Sequence, residues 1–337
     1  MEKIEERVTL AHGAGGRQTA RLIEEVFAAR FANPLLTADD AAVLPALKGA
    51  PVMTTDGFIV SPRKFAGGNI GKLSICGTVN DLLCMGAVPK YLTCAMVIEE
   101  GLPLAELTEY AEAMAKTAAE AGVVVVAGDT KVAARGQVDG VYITTTGLGE
   151  MRPAVKTAGS LARPGDKIIV SGDVGRHGCT ILLARDSFGI AAEVTSDCAP
   201  LVKEAEAIFA AGEAVHVVRD ATRGGVGTVL YELAGQSKVG FCLEAEAVPV
   251  QPQVRGVCGM LGLEPLYLAC EGRFVIVAAP EAAEGIVAAL KETPYGKEAA
   301  IIGTVTAENA GRVTLTTELG TETILPQPAG ELLPRIC

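Results

Sequence analysis

Short apolar runs of strand length alternate with small-residue helical stretches along this chain, and the alternation breaks once, over residues 151–166. That stretch carries Pro153, Pro164 and Gly165 with little periodicity, so it parts two α/β halves. In the first half, short strands are expected within 37–44 and over 52–55 and further strands over 90–98, 123–126 and 140–148, with helices over 69–86 and 103–121. In the second, strands are expected over 167–171, 215–218, 274–279, 298–305 and 312–317, with helices near 178–188, 200–211, 226–235 and 281–291. At 337 residues the chain is long for one core, which fits two domains of ordinary size. The expected divisions are a glycine-rich lead with one helix (1–36), an N-terminal domain (37–150), a C-terminal α/β domain (151–325) and a flexible tail (326–337).

Composition narrows the function classes. A net charge of −11 disfavours nucleic acid or anionic lipid as a main partner. Charges or glycines interrupt every apolar stretch before it reaches membrane-spanning length, and the acidic N-terminus lacks the apolar core of a signal peptide. The nine cysteines form no C-x-x-C pair and the three histidines are scattered, so neither a disulfide framework nor zinc is expected. A reduced, cytoplasmic protein is the expectation. The 39 glycines, costly inside regular elements, mark tight turns or backbone that approaches a ligand.

Acids gather at those glycines and at expected strand ends. Asp39-Asp40, Asp56 in Thr55-Asp56-Gly57, Asp129 in Gly128-Asp129-Thr130-Lys131, and Asp220 in Asp220-Ala221-Thr222-Arg223-Gly224-Gly225 follow this pattern. Asn80-Asp81 lies within an apolar helix, where a buried carboxylate needs a partner or a metal. From spacing alone these are either unrelated turn residues or a converging set. A converging set without basic partners suits Mg²⁺, which takes oxygen ligands and shares them with phosphate. Lys131, Arg223 and the Gly224-Gly225 backbone would then meet the phosphates. The loop Ala11 to Arg17 precedes a helix over 18–31 and can offer N–H groups to an anion, yet it fits neither G-x-G-x-x-G nor a P-loop.

The chain ends in Pro334-Arg335-Ile336-Cys337, beyond the last expected strand. Prolines at 326, 328 and 334 favour an extended tail, about a dozen residues able to span roughly 40 Å at ~3.3 Å each. A thiol on such a tether can reach a site on its own chain or on a neighbour.

Taken together, the motifs His12-Gly13-Ala14-Gly15-Gly16, Asp39-Asp40-Ala41-Ala42-Val43, Thr55-Asp56-Gly57, Asn80-Asp81-Leu82-Leu83-Cys84-Met85-Gly86, Gly128-Asp129-Thr130-Lys131 and Asp220 to Gly225 resemble a superfamily of ATP-using proteins. It holds aminoimidazole ribonucleotide synthetase, selenophosphate synthetase and thiamine-monophosphate kinase. The Pro-Arg-Ile-Cys terminus narrows the resemblance to its hydrogenase maturation family, HypE, over essentially the whole chain. The resemblance implies a mixed α/β, two-domain PurM-like architecture that dimerises through its N-terminal sheet. It also implies ATP held by Asp39, Asp40, Asp56, Asn80, Asp81, Gly128, Asp129, Thr130, Asp220, Thr222, Arg223, Gly224 and Gly225, with Mg²⁺ on Asp40, Asp56, Asp81 and Asp220. The implied activity starts when a carbamoyltransferase, HypF, loads a carbamoyl group on Cys337. The chain then dehydrates the thiocarboxamide to a thiocyanate with ATP, and the cyano group passes to iron in a HypC–HypD complex for the [NiFe] centre.

Hydroxide leaves an amide carbon poorly, so this chemistry calls for turning the carbonyl oxygen into phosphate and for a general base to take the N–H protons. Glu271, in Cys270-Glu271-Gly272-Arg273, is the candidate base, and Lys131 the candidate to polarise the oxygen or neutralise the γ-phosphate. Selenide activation is disfavoured, because Gly15-Gly16-Arg17 replaces the reactive Cys or Sec of that family's glycine loop. The competing readings are a small-molecule kinase or synthetase of the superfamily, in which the terminal cysteine has no use, and a non-catalytic thiol carrier.

Overall fold

The computed structural model describes residues 6–37, 39–185, 189–317, 319–327 and Ile336. After a short helix α1 (Arg17–Leu22), a π-helical stretch (Ile23–Ala28) and α2 (Ala29–Phe31) come β1 (Pro51–Phe58), the small hairpin β2 (Lys64–Phe65) and β3 (Gly68–Asn69), and helix α3 (Ile70–Cys84). Then follow β4 (Ala87–Glu99), α4 (Leu104–Ala121), β5 (Val124–Ala133) and β6 (Val141–Met151). Their sheet runs β1-β6-β4-β5 and is mixed: only β4 and β5 are parallel, joined by the crossover helix α4.

Helix α3 is the centre of the molecule. All of its residues but Lys72 and Asp81 are buried, as expected of a helix enclosed on every side rather than an amphipathic surface helix. Small residues permit this. A β-carbon on Gly71 would stand 2.3 Å from the carbonyl oxygen of Tyr110 in α4, and one on Gly77 would press into the Phe58 ring at 2.9 Å. Asn69 caps the helix by accepting the N–H of Lys72 at 3.0 Å.

The second sheet is built from β7 (Lys167–Val170), β8 (Val215–Asp220), β9 (Gly240–Glu244), β10 (Phe274–Ala278), β11 (Ala300–Thr306), β12 (Val313–Thr316) and β13 (Glu322–Ile324), in the order β13-β12-β9-β11-β7-β10-β8. Helix α7 (Gly225–Ser237) packs on one face in a core of its own. On the other face, α6 (Val202–Phe209) and α9 (Pro280–Lys291) join the sheet to the core that also contains α3 and α4. Helices α5 (Arg176–Ala184) and α8 (Pro252–Leu261) close a small third core around Leu268.

Mixed α/β architecture is therefore as the sequence indicated, with corrections that matter for the acids. Residues 37–44, expected to include a strand, form no regular element among those described. Strands β1 and β5 run further than their apolar cores suggest, so Asp56 and Asp129 lie inside strands rather than at their ends. Among the described residues, no helix is long and apolar enough to cross a membrane.

Candidate functional site

Three of the singled-out carboxylates meet where α3 faces the edge strand β8. Along β1, Thr54, Asp56 and Phe58 point toward α3 while Met53, Thr55 and Gly57 point away, as strand alternation requires. Asp56 Oδ1 accepts the N–H of Gly57 at 2.8 Å, and the bare Cα of Gly77 lets Asp56 lie close against α3. Asp81, one turn on from Gly77, accepts a hydrogen bond from Thr54 Oγ1 at 2.9 Å. Asp220 ends β8, opposite Phe274 of β10. Burial raises the pKa of all three, and the negative charges of Asp81 and Asp56 help to push Asp220 up to about 7.

Glu271 joins them from the turn before β10. It is 2% exposed; its N–H donates to Asp197 Oδ1 at 3.2 Å, and its Oε1 has no hydrogen-bond partner among the described residues. Burial first, then the charges of Cys198, Asp220, Asp197 and Asp56, hold its carboxyl well above the usual range. Two arginines supply opposing charge. Arg223 acts on Asp56 and Asp81, and Arg219, which pairs with Glu232 at 3.1 Å, acts on Asp81 and Asp220. Arg219 is absent from the sequence-derived set, although its place beside Asp220 at the strand end was the available signal.

The turn between β8 and α7 is shaped for close approach. Gly224 and Gly225 have φ of 74° and 61°, and a β-carbon on Gly225 would meet two carbonyl oxygens at 2.5 Å. Gly225 N–H donates to Thr222 O at 2.9 Å, and half-buried Thr222 precedes exposed Arg223. The fit to a cation with phosphate is chemical: four carboxylates with raised pKa values and one orphaned buried oxygen are short of positive charge. Yet among the described residues no three His, Cys, Asp or Glu side chains form a group able to hold a metal by themselves. The expected quartet lacks Asp40, which lies exposed with Asp39 on irregular chain.

Other expected residues lie elsewhere. In β5, Gly128 stands in the same cross-strand row as Cys94, Thr145 and Asp56, whereas Asp129 belongs to the next row, with Ala95, Thr144 and Gly57. Asp129 and Lys131 therefore point to the open face of the sheet, the opposite side from Asp56. They are 62% and 66% exposed, and Lys131 Nζ pairs with Asp129 Oδ2 at 2.5 Å, which lowers the Asp129 pKa. Thr130, between them, alternates to the half-buried side. Within this chain Lys131 thus does not join Glu271.

Asn80, expected among the nucleotide contacts, has its amide engaged within the chain. Its Nδ2 donates to Ala199 O at 3.0 Å and its Oδ1 accepts the N–H of Leu201 at 2.9 Å, so its amide ties α3 to the chain entering α6. Asn80→Ala should cost about 2–3 kcal/mol by stranding two buried backbone groups, measurable by urea unfolding; unaltered stability would refute that role.

Two family models divide the chain: "AIR synthase related protein, N-terminal domain" matches residues 38–151 and its C-terminal counterpart residues 163–316. The carbamoyl dehydratase HypE of Rhizobium leguminosarum bv. viciae is 44% identical over 333 residues, covering 98% of this chain and 95% of the relative. This chain belongs to the HypE family. A crystal structure of the hydrogenase maturation protein HypE in complex with ATP superposes with a TM-score of 0.93 at 45% identity, covering 98% of this chain and 99% of that one. HypE in a HypE–HypF complex gives 0.81 at 43% identity, covering 91% and 99%.

For a HypE chain the terminus is the remaining element. Cys337 and residues 328–335, where the tail was expected to be extended, lie outside the described residues. Ile336 is described and is not peripheral: it is 5% exposed in the main core, and its carbonyl oxygen is 2.8 Å from His177 Nε2. The eight other cysteines are free thiols, all buried except half-buried Cys242. Cys270, beside Glu271, accepts the N–H of Gly175 on its sulfur at 3.1 Å, and burial pushes its thiol pKa well up.

Proposed function

We propose that this chain dehydrates a carbamoyl group carried on Cys337 to a thiocyanate, using ATP, to supply cyanide ligands for [NiFe] hydrogenase maturation. The observation that carries this reading is Glu271, a buried carboxyl with an unpartnered oxygen among the described residues, which feels the charges of Asp220, Asp197 and Asp56. The chain's end reaches the same region. Ile336 bonds to His177, His177 to Ser196, and the next residue, Asp197, holds the N–H of Glu271.

In this reading the carboxamide oxygen attacks the γ-phosphorus of ATP and ADP leaves. Glu271 takes an N–H proton. The C–O bond then breaks, phosphate departs with the former carbonyl oxygen, and loss of the second N–H proton completes C≡N. Arg219, Arg223 and the N–H groups at the start of α7 face the phosphates. Asp56, Asp81 and Asp220 would hold Mg²⁺ together with phosphate oxygens, and the ion would neutralise charge developing there. Asp39, Asp40, Gly128, Asp129, Thr130 and Thr222 remain proposed nucleotide contacts.

Lys131 serves this site only through a second copy. The open sheet face carries Val97 and Tyr142 beside Lys131 and Met53, Tyr91 and Leu148 toward its other end, and we infer that a homodimer forms there. Met53, 69% exposed, is the probe: Met53→Lys should halve the mass measured by light scattering and lower the dehydration rate. A variant dimer with normal activity would argue against that face. HypF as the loading partner, a HypC–HypD complex as acceptor, and a cytoplasmic setting complete the proposal.

The decisive test is the intact mass of the C-terminal peptide after incubation with the carbamoyltransferase, then with Mg-ATP. A carbamoyl mass on Cys337 that loses one water only with ATP is expected. A carbamoyl mass that never loses water would leave a carrier, and no modification would return the chain to the superfamily's small-molecule enzymes.

A further inference from the structure

His177 is wholly buried near the start of α5, outside the carboxylate cluster, and no step of the chemistry above uses it. Its hydrogen bonds fix its state. Ser196 Oγ accepts the N–H of Cys198 at 3.1 Å and lies 2.8 Å from His177 Nδ1. The serine hydrogen is then free for Nδ1, so the ring hydrogen sits on Nε2 and donates to Ile336 O at 2.8 Å. Burial keeps His177 below the ordinary imidazole range, consistent with a neutral ring. Phe65 stands edge-on to the ring, with centroids 5.2 Å apart at 86°, and stops it from turning.

Ile336 is thus held twice, by an apolar seat for its side chain and by a donor for its carbonyl oxygen. Two contacts to one residue set both the depth and the direction of a chain end. We propose that His177 and the seat of Ile336 form a docking site for the chain's own C-terminus, with His177 as the positioning residue that aims the terminal thiol at Glu271. The α-carbon of a residue bonded to Ile336 lies about 3.8 Å from that of Ile336, so fixing Ile336 limits the thiol to a small volume. The anchor is modest, one side chain and one neutral hydrogen bond, which suits a tail that must also leave to be loaded and unloaded by partners. It rests on the reading that Cys337 carries the reacting group.

The test uses the full-length protein with His177→Leu, His177→Gln (which keeps an N–H donor) and Ile336→Ser. The first readout is the rate at which iodoacetamide alkylates the C-terminal peptide, followed by mass, with the buried cysteines as internal references. The second is single-turnover dehydration of the carbamoylated protein against ATP concentration. His177→Leu and Ile336→Ser should label at least about tenfold faster and dehydrate at least about tenfold slower. Half-saturating ATP should not change, and His177→Gln should fall between these variants and the parent. Folded variants that label and dehydrate at the parent rate would overturn the docking site. If His177→Leu fails to fold, Ile336→Ser decides alone. A parent protein that never loses water while these variants still label faster would sink the dehydratase reading and support the docking site.

Discussion

Glu271→Gln should stop the conversion of carbamoylated Cys337, lowering the single-turnover rate by about 10²-fold or more while ATP still binds. Gln keeps the size and one oxygen but cannot accept a proton. In the parent, burial and four neighbouring groups hold the Glu271 carboxyl well above the usual range. A base must be ionised, so the dehydration rate should go on rising with pH above the range in which an ordinary carboxylate has finished ionising. In Glu271→Gln that rise should vanish along with the rate. The stability sign is opposite. A carboxyl whose folded pKa is raised binds its proton more tightly in the native state, so it destabilises the fold progressively as pH rises above its unfolded pKa of about 4.3. The variant should therefore melt above the parent at pH 8. Full dehydration by Glu271→Gln, or a flat pH profile in the parent, would remove Glu271 from the role of base.

The elements near this site were legible where local pattern and packing agree. Helix α3 announced itself through unbroken apolar and small residues, and the strand-to-helix turn at Asp220 through glycines whose positive φ the structure then required. Strand ends were not legible. The expectation that acids close strands failed at Asp56 and Asp129, because pairing along β6 and β4 carries β1 and β5 past their apolar cores. The consequence is large, since one residue along a strand changes the face: Asp56 looks to α3 and Asp129 to the open side. The partners of the Asn80 amide were not legible either. Its motif marks the superfamily, whereas the backbone groups its amide bonds, at Ala199 and Leu201, lie more than a hundred residues away in sequence. Helix α8 lies outside the expected elements, although Pro252 at its first position and Gly262 at φ 66° just past its end are start and stop signals. Ile336 had no local signal at all, because a lone apolar residue after a proline and an arginine gains meaning only from the pocket that receives it.

Asp220→Asn should uncouple the fold from Mg-ATP. Asp220 is pushed up to about 7, by burial first and then by the charges of Asp81 and Asp56. Between the unfolded value near 3.9 and about 7, the native state keeps a proton that the unfolded chain has lost. Stability without ligand should therefore fall as pH rises through that interval, by at most ~1.4 kcal/mol per pH unit and less because Asp220 is only half-buried. Asparagine removes the proton and the slope together, leaving the ligand-free variant about 1–2 kcal/mol more stable at pH 8. Mg-ATP acts on the same charges from outside: positive charge near the trio favours its ionised form, so in the parent the ligand should raise the melting temperature most at pH 8 and least at pH 5. In Asp220→Asn the ligand-induced shift should shrink at every pH, since one of three carboxylates that draw the cation is gone, and phosphate release should fall at least about tenfold. A variant with the parent's pH slope and the parent's Mg-ATP shift would place the nucleotide away from β8. Loss of the slope with an intact ligand shift would leave Asp220 as a burdened structural carboxyl and move the cation to Asp56 and Asp81 alone.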